Sequence, residues 1–178
     1  MRNLRATLPP ALERVVWNIK YGLLQYPHFT APDDAVSHLC TNLSGSGTLL
    51  ELGCGRGSLI HGLRQAGWNG TYCGVDISER AISDARKRVD QRSSWIVSDI
   101  ESFSSPFKWD AIVMIESIYY VDVDLLSVVL TRLTEMLEEE GFILIRLHDV
   151  EKHREYIEAI NRRFPQMKWV AANLIRVG

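Results

Sequence analysis

Three glycines stand at alternate positions directly after an apolar run in the stretch LLELGCGRGSL, residues 49–59. They are Gly53, Gly55 and Gly57, with Cys54 and Arg56 between them. Glycine weakens any helix or strand that it occupies, so this spacing indicates a tight turn or a close approach to a ligand. Backbone N–H groups at the start of a helix also favour a negatively charged ligand group.

Carboxylates follow the next apolar segments in the same way. Asp76 comes about 20 positions after the last glycine, where nucleotide-binding βαβ units place the acid that holds ribose hydroxyls. Asp99, followed by Ile100, and then Glu116 end the next two apolar segments. Each aspartate could instead cap a helix or turn, and Glu116 could face solvent. Their shared position favours a ligand site, because the carboxyl ends of parallel strands meet at one edge of a sheet.

The elements that must position these residues alternate between strands and helices. Strands are predicted at TLLEL, TYCGVDI, SWIVSDI, DAIVMIES and GFILIRLHD. Amphipathic helices are predicted over residues 58–67, 79–89, 125–137 and 152–164. This order predicts an α/β fold with a Rossmann-like, doubly wound, mainly parallel sheet of six to seven strands and helices on both faces.

The two ends of the chain are less regular. Residues 11–25 and 35–43 are predicted helices joined by an irregular loop, so residues 1–43 form a predicted helical lid and residues 44–178 the main domain. The end, MKWVAANLIRV, is predicted as one strand or as a tight hairpin around Ala172 and Asn173. Little chain remains after Pro165 for a final antiparallel pair.

Composition excludes several function classes. The 178 residues carry a net charge of -2 and lack the basic footprint of a nucleic-acid-binding protein. The three cysteines show no CxxC pair and no histidine at metal spacing, so we expect reduced thiols and no metal. No signal peptide or bilayer-spanning run is present in the sequence, and we expect a cytoplasmic protein without membrane contact.

The glycine spacing separates two classes of nucleotide-binding protein. Dinucleotide-binding chains carry GxGxxG, whereas this chain carries GxGxG preceded by Glu51. In this the sequence resembles the class I methyltransferases that use S-adenosylmethionine: ELGCGRG matches their first motif, GVDIS the second strand with the ribose acid, SDI the adenine-binding turn, and WDAIVMIESIYYV the fourth-strand motif. The resemblance covers about residues 45–150. A looser likeness is to the nodulation-type N-methyltransferase-like group.

The resemblance implies roles for the first motif. Gly53, Gly55 and Gly57 would form the loop beneath the methionine part of the cofactor. Glu51 would orient that loop or receive the cofactor's amino group through water. Arg56 would suit the cofactor carboxylate, with a solvent-exposed arginine as the alternative.

The resemblance also implies roles further along the chain. Asp76 would accept both ribose hydroxyls, and Ile77 would pack on the adenine. Asp99 would accept the adenine amino group beside the backbone N–H of Ile100. Glu116, or its backbone carbonyl, would lie near the cofactor's amino group and the methyl.

Candidates for the acceptor side follow the fourth and fifth strands. His148 is the best candidate for a general base, because its ordinary pKa is near 6.5 and it ends a strand. Asp149 is adjacent, but successive strand residues point in opposite directions, so a His–Asp pair does not follow. Glu116, Tyr119 and Tyr120 could line the acceptor pocket, and the tyrosines could equally be plain packing.

The predicted first helix adds a further candidate. Trp17 and Tyr21 share a helical face, with Lys20 nearby, and could cover the ligand. An ordinary packing helix is the alternative. Tyr21 and Cys54 complete the predicted set of cofactor-binding residues.

The predicted function is therefore transfer of a methyl group from S-adenosylmethionine to nitrogen or oxygen of a small molecule. The alternatives are a non-catalytic binding or scaffold subunit and a nicotinamide-dependent oxidoreductase. The Pro-Pro-aromatic turn of DNA-amino methyltransferases is absent, since residues 116–119 read ESIY. The acceptor site is expected to be open, or completed by the N-terminal helices or by a second subunit in a homodimer.

Overall fold

A computed structural model describes residues 8–23, 30–87 and 90–178. Its strands are β1 (Thr48–Leu52), β2 (Thr71–Asp76), β3 (Ser93–Val97), β4 (Trp109–Ile115), β5 (Leu137–Arg146), β6 (Lys168–Ala171) and β7 (Leu174–Val177). Its helices are α1 (Pro10–Gly22), α2 (Asp33–Asn42), α3 (Ser58–Gln65), α4 (Glu79–Ala85), α5 (Leu126–Glu135) and α6 (Arg154–Arg163), with a short 3₁₀ helix at Ile118–Tyr120.

The strands form one sheet in the order β3-β2-β1-β4-β5-β7-β6. Strands β1 to β5 pair in parallel, and β7 runs antiparallel to both β5 and β6. The order reverses between β1 and β4, which is the place where open α/β sheets bind ligands. The predicted α/β fold, doubly wound and mainly parallel, is confirmed.

Alternation along the strands divides the interior into two layers. On β1, Leu50 and Leu52 pack into the core that contains the apolar faces of α5 and α6, whereas Leu49 packs into the core formed with α2 and α3. Successive strand residues point to opposite faces, so a continuous apolar run such as that of β1 supplies both cores. Helices therefore cover both faces of the sheet.

Several predicted boundaries are wrong or incomplete. Leu137 was predicted at the end of the fifth helix but begins β5, where it pairs with Trp109. The helix predicted over residues 79–89 ends at Ala85, and Val89 lies outside the described residues. Residues 24–29, which contain the predicted end of the first helix, also lie outside them.

The C-terminal segment forms a hairpin rather than one strand. The strands β6 and β7 have four residues each and are joined by Ala172 and Asn173. The expectation that too little chain remains after Pro165 is wrong, because a two-residue turn suffices between antiparallel strands. None of the helices in the described ranges is long and apolar enough to cross a membrane.

Candidate active site

A cavity of about 620 Å³ opens at the carboxyl ends of β1, β2, β4 and β5 and is covered by α1. This size lies within the usual range of small-molecule sites. All the predicted site residues except Gly57 line it: Tyr21, Glu51, Gly53, Cys54, Gly55, Arg56, Asp76, Ile77, Asp99, Ile100, Glu116, Tyr119 and His148. Residues predicted from separate parts of the chain therefore meet at one place.

The glycine loop needs glycine both for its backbone angles and for space. Gly53 and Gly57 have φ angles of +81° and +74°, which other residues rarely adopt. A Cβ on Gly53 would lie 2.4 Å from Cβ of Ser117, and one on Gly57 would lie 2.5 Å from the ring of Trp95. Gly57 thus supports the packing behind the loop, whereas Gly53 lets the ends of β1 and β4 approach each other.

Asp76 ends β2 beneath the loop and is 8% exposed. Its Oδ2 accepts the Gly55 N–H at 2.8 Å, and its Oδ1 accepts the Ser78 N–H at 2.8 Å. Burial raises the pKa of Asp76 to about 6, while these two hydrogen bonds oppose the increase. Each carboxylate oxygen can accept a second donor, so the side chain can still receive hydroxyl groups.

Glu51 lies on β1 and is buried beside the loop. Its carboxyl group accepts a hydrogen bond from the Tyr72 hydroxyl on β2, at 2.5 Å. Burial raises the pKa of Glu51 to about 8, so this group is largely neutral at pH 7. Tyr72 was not singled out from the sequence. Burial also raises the pKa of the neighbouring Cys54 thiol well above its ordinary value, which disfavours a thiolate.

Asp99 has the turn-capping contacts that were its alternative interpretation. Its carboxylate accepts the backbone N–H of Ser102 at 2.7 Å and the Ser102 hydroxyl at 2.5 Å. It nevertheless lines the cavity beside Ile100. Both interpretations therefore fit the geometry of this residue.

Glu116 connects the ends of β4 and β5. It is the non-glycine residue with positive φ in the described chain, at +55°. Its carboxylate is ion-paired with Arg146, accepts the His148 backbone N–H at 2.6 Å and lies 3.3 Å from the Tyr119 hydroxyl. Arg146 also pairs with Asp34 of α2 at 3.2 Å.

Arg146 is a cavity residue that the sequence interpretation missed. Its signal is visible afterwards, because it is the charged residue in the otherwise apolar run FILIRL. Its partners Glu116 and Asp34 are 30 and 112 positions away, so no local pattern identifies them.

His148 follows β5 and lines the cavity with an exposed side chain. The adjacent Asp149 accepts the Lys152 N–H at 3.0 Å and so caps the following turn. The nearby His153 was not predicted. Its ring stacks on Tyr119 at a centroid distance of 4.4 Å, and burial lowers its pKa.

Arg56 is directed toward α1. Its guanidinium donates to the Tyr21 carbonyl at 2.9 Å and pairs with Asp84 of α4 at 3.3 Å. Its side chain is 12% exposed, so the alternative of a solvent-exposed arginine is wrong. The assignment of Arg56 to a cofactor carboxylate stays a prediction.

The inner face of α1 forms one wall of the cavity through Trp17 and Tyr21 and also through Glu13, which was not predicted. Trp17 packs edge-on against Tyr120, with ring centroids 5.0 Å apart. Asn18 holds the helix in place, because its Oδ1 accepts the Ser78 hydroxyl at 2.8 Å at the start of α4. The four-residue spacing of Glu13, Trp17 and Tyr21 was the available signal.

Comparisons with known proteins agree with this geometry. A family model described as "Methyltransferase domain" matches residues 25–174. The chain belongs to this family. Together with the strand order, this confirms the predicted identification as a class I methyltransferase.

Curated relatives match only in part. Nodulation protein S of Sinorhizobium fredii is 32% identical over an alignment of 102 residues, and the match covers 53% of this chain and 44% of that protein. Nodulation protein S of Rhizobium tropici is 32% identical over 98 residues and is covered over 40% of its length. The chain thus matches less than half the length of these relatives.

Solved structures extend the similarity of the fold. Magnesium protoporphyrin IX methyltransferase from Synechocystis PCC 6803, crystallised with bound S-adenosylmethionine, has a TM-score of 0.69 at 14% identity, covering 96% of this chain and 97% of that chain. The glycopeptide N-methyltransferase MtfA, also with S-adenosylmethionine, has a TM-score of 0.57 at 22% identity, covering 68% and 52%.

Proposed function

We propose that the protein transfers a methyl group from S-adenosylmethionine to nitrogen or oxygen of a small-molecule acceptor. The observation that carries the proposal is the meeting of the glycine loop and buried Asp76 at one 620 Å³ cavity. Family membership supports the reaction class, and the solved neighbours with bound S-adenosylmethionine support the cofactor.

The β2 side of the cavity consists of the lining residues of α1, of β1 and β2, and of the segments that follow β1, β2 and β3. These residues suit the cofactor's nucleoside. The Gly55 and Ser78 N–H groups hold the Asp76 carboxylate so that its remaining lone pairs can accept ribose hydroxyls. Ile77 and Ile100 provide apolar surface for the adenine, and Asp99 lies beside them. The loop at Gly53 allows a bound group to approach the backbone closely.

The β5 side of the cavity consists of the lining residues at the ends of β4 and β5 and directly after them. These residues suit the acceptor. When bound, the cofactor supplies a methyl group on a positively charged sulfur, so the protein's main task is to align the acceptor with it. Glu116 fixes the His148 backbone and faces the Tyr119 hydroxyl, so these groups are held together at the cavity wall. His148 is the candidate base for an acceptor that arrives protonated.

The charge of the cavity favours a nitrogen acceptor over a carboxylate or other anion. Its lining includes two arginines, Arg56 and Arg146, and six carboxyl residues, of which Glu51 is largely neutral at pH 7 and Glu13 is partly protonated. Both arginines already contact carboxylates. A positively charged amine is therefore attracted to this cavity, and an anionic acceptor is repelled. The N-methyltransferase among the solved neighbours is compatible with this preference.

Several related assignments belong to the same proposal. Residues 1–43 would act as a lid over the domain formed by residues 44–178. The free cysteines Cys40, Cys54 and Cys73 support a cytoplasmic location. A second copy of the chain could complete the acceptor site in a homodimer, and we propose no nucleic-acid or membrane partner. A non-catalytic binding subunit is the alternative function.

Calorimetry with S-adenosylmethionine and its demethylated product S-adenosylhomocysteine tests the cofactor assignment. We expect both to bind. If neither compound binds, the proposal is rejected. Screening amines, phenols and carboxylates for release of S-adenosylhomocysteine tests the acceptor class, with amines expected to be active. Cofactor binding without turnover of any acceptor would favour the binding-subunit alternative.

The His148→Ala variant tests the proposed base. We expect a fall of about 100-fold in turnover at unchanged cofactor affinity, which is the usual scale of general-base catalysis. His61→Ala, at an exposed position on α3 outside this cavity, is the matched control. Wild-type turnover of His148→Ala across pH 6 to 9 would remove His148 as the base.

A further inference from the structure

Glu13 has an unusual place on α1. It shares the inner helix face with Trp17 and Tyr21, at spacings of four residues, and all three line the cavity. It is the charged member of this row. The contacts of Asn18 with Ser78 and of Arg56 with the Tyr21 carbonyl hold that face over the ends of β1 and β2.

The surroundings of Glu13 are acidic. The charged groups that affect its pKa are carboxylates, namely Asp76 at the end of β2 and Asp99 and Glu101 after β3. Each of these carboxylates accepts a backbone N–H, donated by Gly55 and Ser78, by Ser102 and by Asp122, respectively. They are therefore held in place by the fold.

The ionisation of Glu13 reflects these surroundings. Its pKa is raised to about 7, mainly by burial and also by the three carboxylates, while a hydrogen bond from the Trp17 indole on the same helix opposes the increase. At neutral pH the free protein thus contains both the acid and the carboxylate form. The two forms differ in hydrogen bonding, because only the neutral acid has an O–H to donate.

We propose that Glu13 is a further cofactor-binding residue, which binds the nucleoside half of S-adenosylmethionine as a neutral acid and donates its proton in a hydrogen bond to it. This inference rests on the proposed function. Asp76 and Asp99 offer acceptors to the hydroxyl and amino groups of the nucleoside, whereas neutral Glu13 offers a donor to its ring nitrogens or ribose oxygens. The donor on α1 and the acceptors at the strand ends then complement each other on opposite sides of the nucleoside.

The physical reason is desolvation. A nucleoside between α1 and the ends of β2 and β3 displaces water from Glu13. This loss of water disfavours the carboxylate form beside Asp76, Asp99 and Glu101. Below pH 7 Glu13 in the free protein already holds most of its proton, so this residue adds little pH dependence there. Above pH 7 the proton must be taken up on binding, so affinity falls by up to about tenfold per pH unit.

The test is the pH dependence of S-adenosylhomocysteine affinity, measured by calorimetry at pH 6, 7 and 8.5. We expect wild-type protein to lose about tenfold or more in affinity between pH 7 and 8.5, with uptake of a proton. Glu13→Gln keeps a donor and cannot ionise. Its affinity should match wild type at pH 6 and should fall less at pH 8.5.

Controls separate this effect from other titrations. Glu158→Gln, at an exposed position on α6, should follow the wild-type profile. Titration of Asp76 and of the ligand's amino group is common to all variants, so the difference between wild type and Glu13→Gln isolates Glu13. Glu13→Ala, which has no donor, should be weaker than Glu13→Gln at every pH.

Two results would overturn the inference, and they differ from failure of the proposed function. One is a Glu13→Gln protein that keeps the full wild-type pH dependence. The other is a tenfold lower affinity of Glu13→Gln than of wild type for S-adenosylhomocysteine already at pH 6, which would show that the ionised form of Glu13 binds. Wild-type protein without affinity for S-adenosylhomocysteine at any pH would instead reject the proposed function, and this inference with it.

Discussion

The two sides of the cavity treat carboxyl groups differently. On the β2 side, buried Glu51 and Asp76 and half-buried Glu13 have pKa values raised by the loss of water, and their hydrogen-bond donors include N–H and O–H groups. On the β5 side, Glu116 shares Arg146 with Asp34. One side therefore relies on hydrogen bonds to carboxyl groups whose pKa values are raised, and the other on ion pairs.

Each side depends on different parts of the chain. Asp76 is held by N–H groups of its own turn and of the glycine loop. The ion pairs of the β5 side join three elements, β4, β5 and α2. We expect changes on the β2 side to alter cofactor affinity, and changes on the β5 side to alter stability and turnover.

The largest effect is expected where the two sides meet. Gly53→Ala places a methyl group 2.4 Å from Cβ of Ser117 and forces alanine to a φ of +81°. The backbone strain and the overpacking together should lower the free energy of unfolding by about 3 kcal/mol. Urea unfolding measures this loss, and calorimetry should show weakened cofactor binding in the protein that remains folded.

Gly22→Ala is the matched control for that substitution. An added Cβ at Gly22 meets no atom within 4 Å, and the residue ends α1. Alanine favours helix over glycine by up to about 1 kcal/mol, so this variant should be neutral or slightly stabilised. Equal stabilities of Gly53→Ala and Gly22→Ala would contradict the proposed close approach of β1 and β4.

The next effect tests the β5 side alone. Arg146→Met keeps the apolar stem but leaves Glu116 and Asp34 without their cation. Removing one member of a buried ion pair costs 3–5 kcal/mol, and these partly exposed groups should lose about 2 kcal/mol of unfolding free energy. Turnover should fall while cofactor affinity stays within about twofold of wild type.

A double variant sharpens that result. Arg146→Met with Glu116→Gln removes both charges of the pair, so its loss of stability should be smaller than the sum of the two single losses. Additive losses in urea unfolding would show that the pair has no coupling. A large loss of cofactor affinity in Arg146→Met would show that the two sides are not separable.

The same contrast explains what could be predicted from the sequence. Asp76 was found because its distance from the glycine loop is set by one local βαβ unit. Arg146 was missed because its partner Asp34 is 112 positions away and meets it only in the folded chain. Glu13 was missed because its helix is placed by the contact of Asn18 with Ser78, which lie 60 positions apart.

The fold was predicted better than its boundaries for a similar reason. Alternating apolar segments determine the βαβ order, but the register of pairing decides where an element ends. Leu137 continues the apolar periodicity of α5, yet its pairing with Trp109 makes it the first residue of β5. The hairpin of β6 and β7 likewise depends on the free edge of β5, which no local pattern shows.

A smaller effect tests the β2 side alone. Asp76→Ala removes an acceptor for ribose and leaves the N–H groups of Gly55 and Ser78 without their partner. We expect cofactor affinity to fall at least tenfold, which corresponds to about 1.4 kcal/mol. Asp149→Ala, at the exposed edge of the β5 side, should bind the cofactor as wild type does. Unchanged affinity of Asp76→Ala in calorimetry would reject its assignment to the ribose.

The last effect is spread over several pH units and concerns the dependence of stability on pH. The pKa of Glu51 is about 8 in the folded protein and near 4.5 in the unfolded chain. Between these values the folded state keeps a proton that the unfolded state releases, so rising pH favours unfolding. Glu51 should therefore remove up to about 1.4 kcal/mol of stability per pH unit as pH rises from 4.5 toward 8.

Glu51→Gln tests this contribution, because the amide can still bond to the Tyr72 hydroxyl but cannot ionise. Urea unfolding at pH 5.5, 6.5 and 7.5 should show a shallower loss of stability than in wild type, so the variant gains on wild type as pH rises. Glu13 and Asp76 titrate in both proteins and cancel in the difference. Glu139→Gln, on an exposed part of β5, should parallel wild type. Parallel curves for Glu51→Gln and wild type would show that Glu51 is ionised in the fold, and the contrast between the two sides would then rest on Asp76 and Glu13 alone.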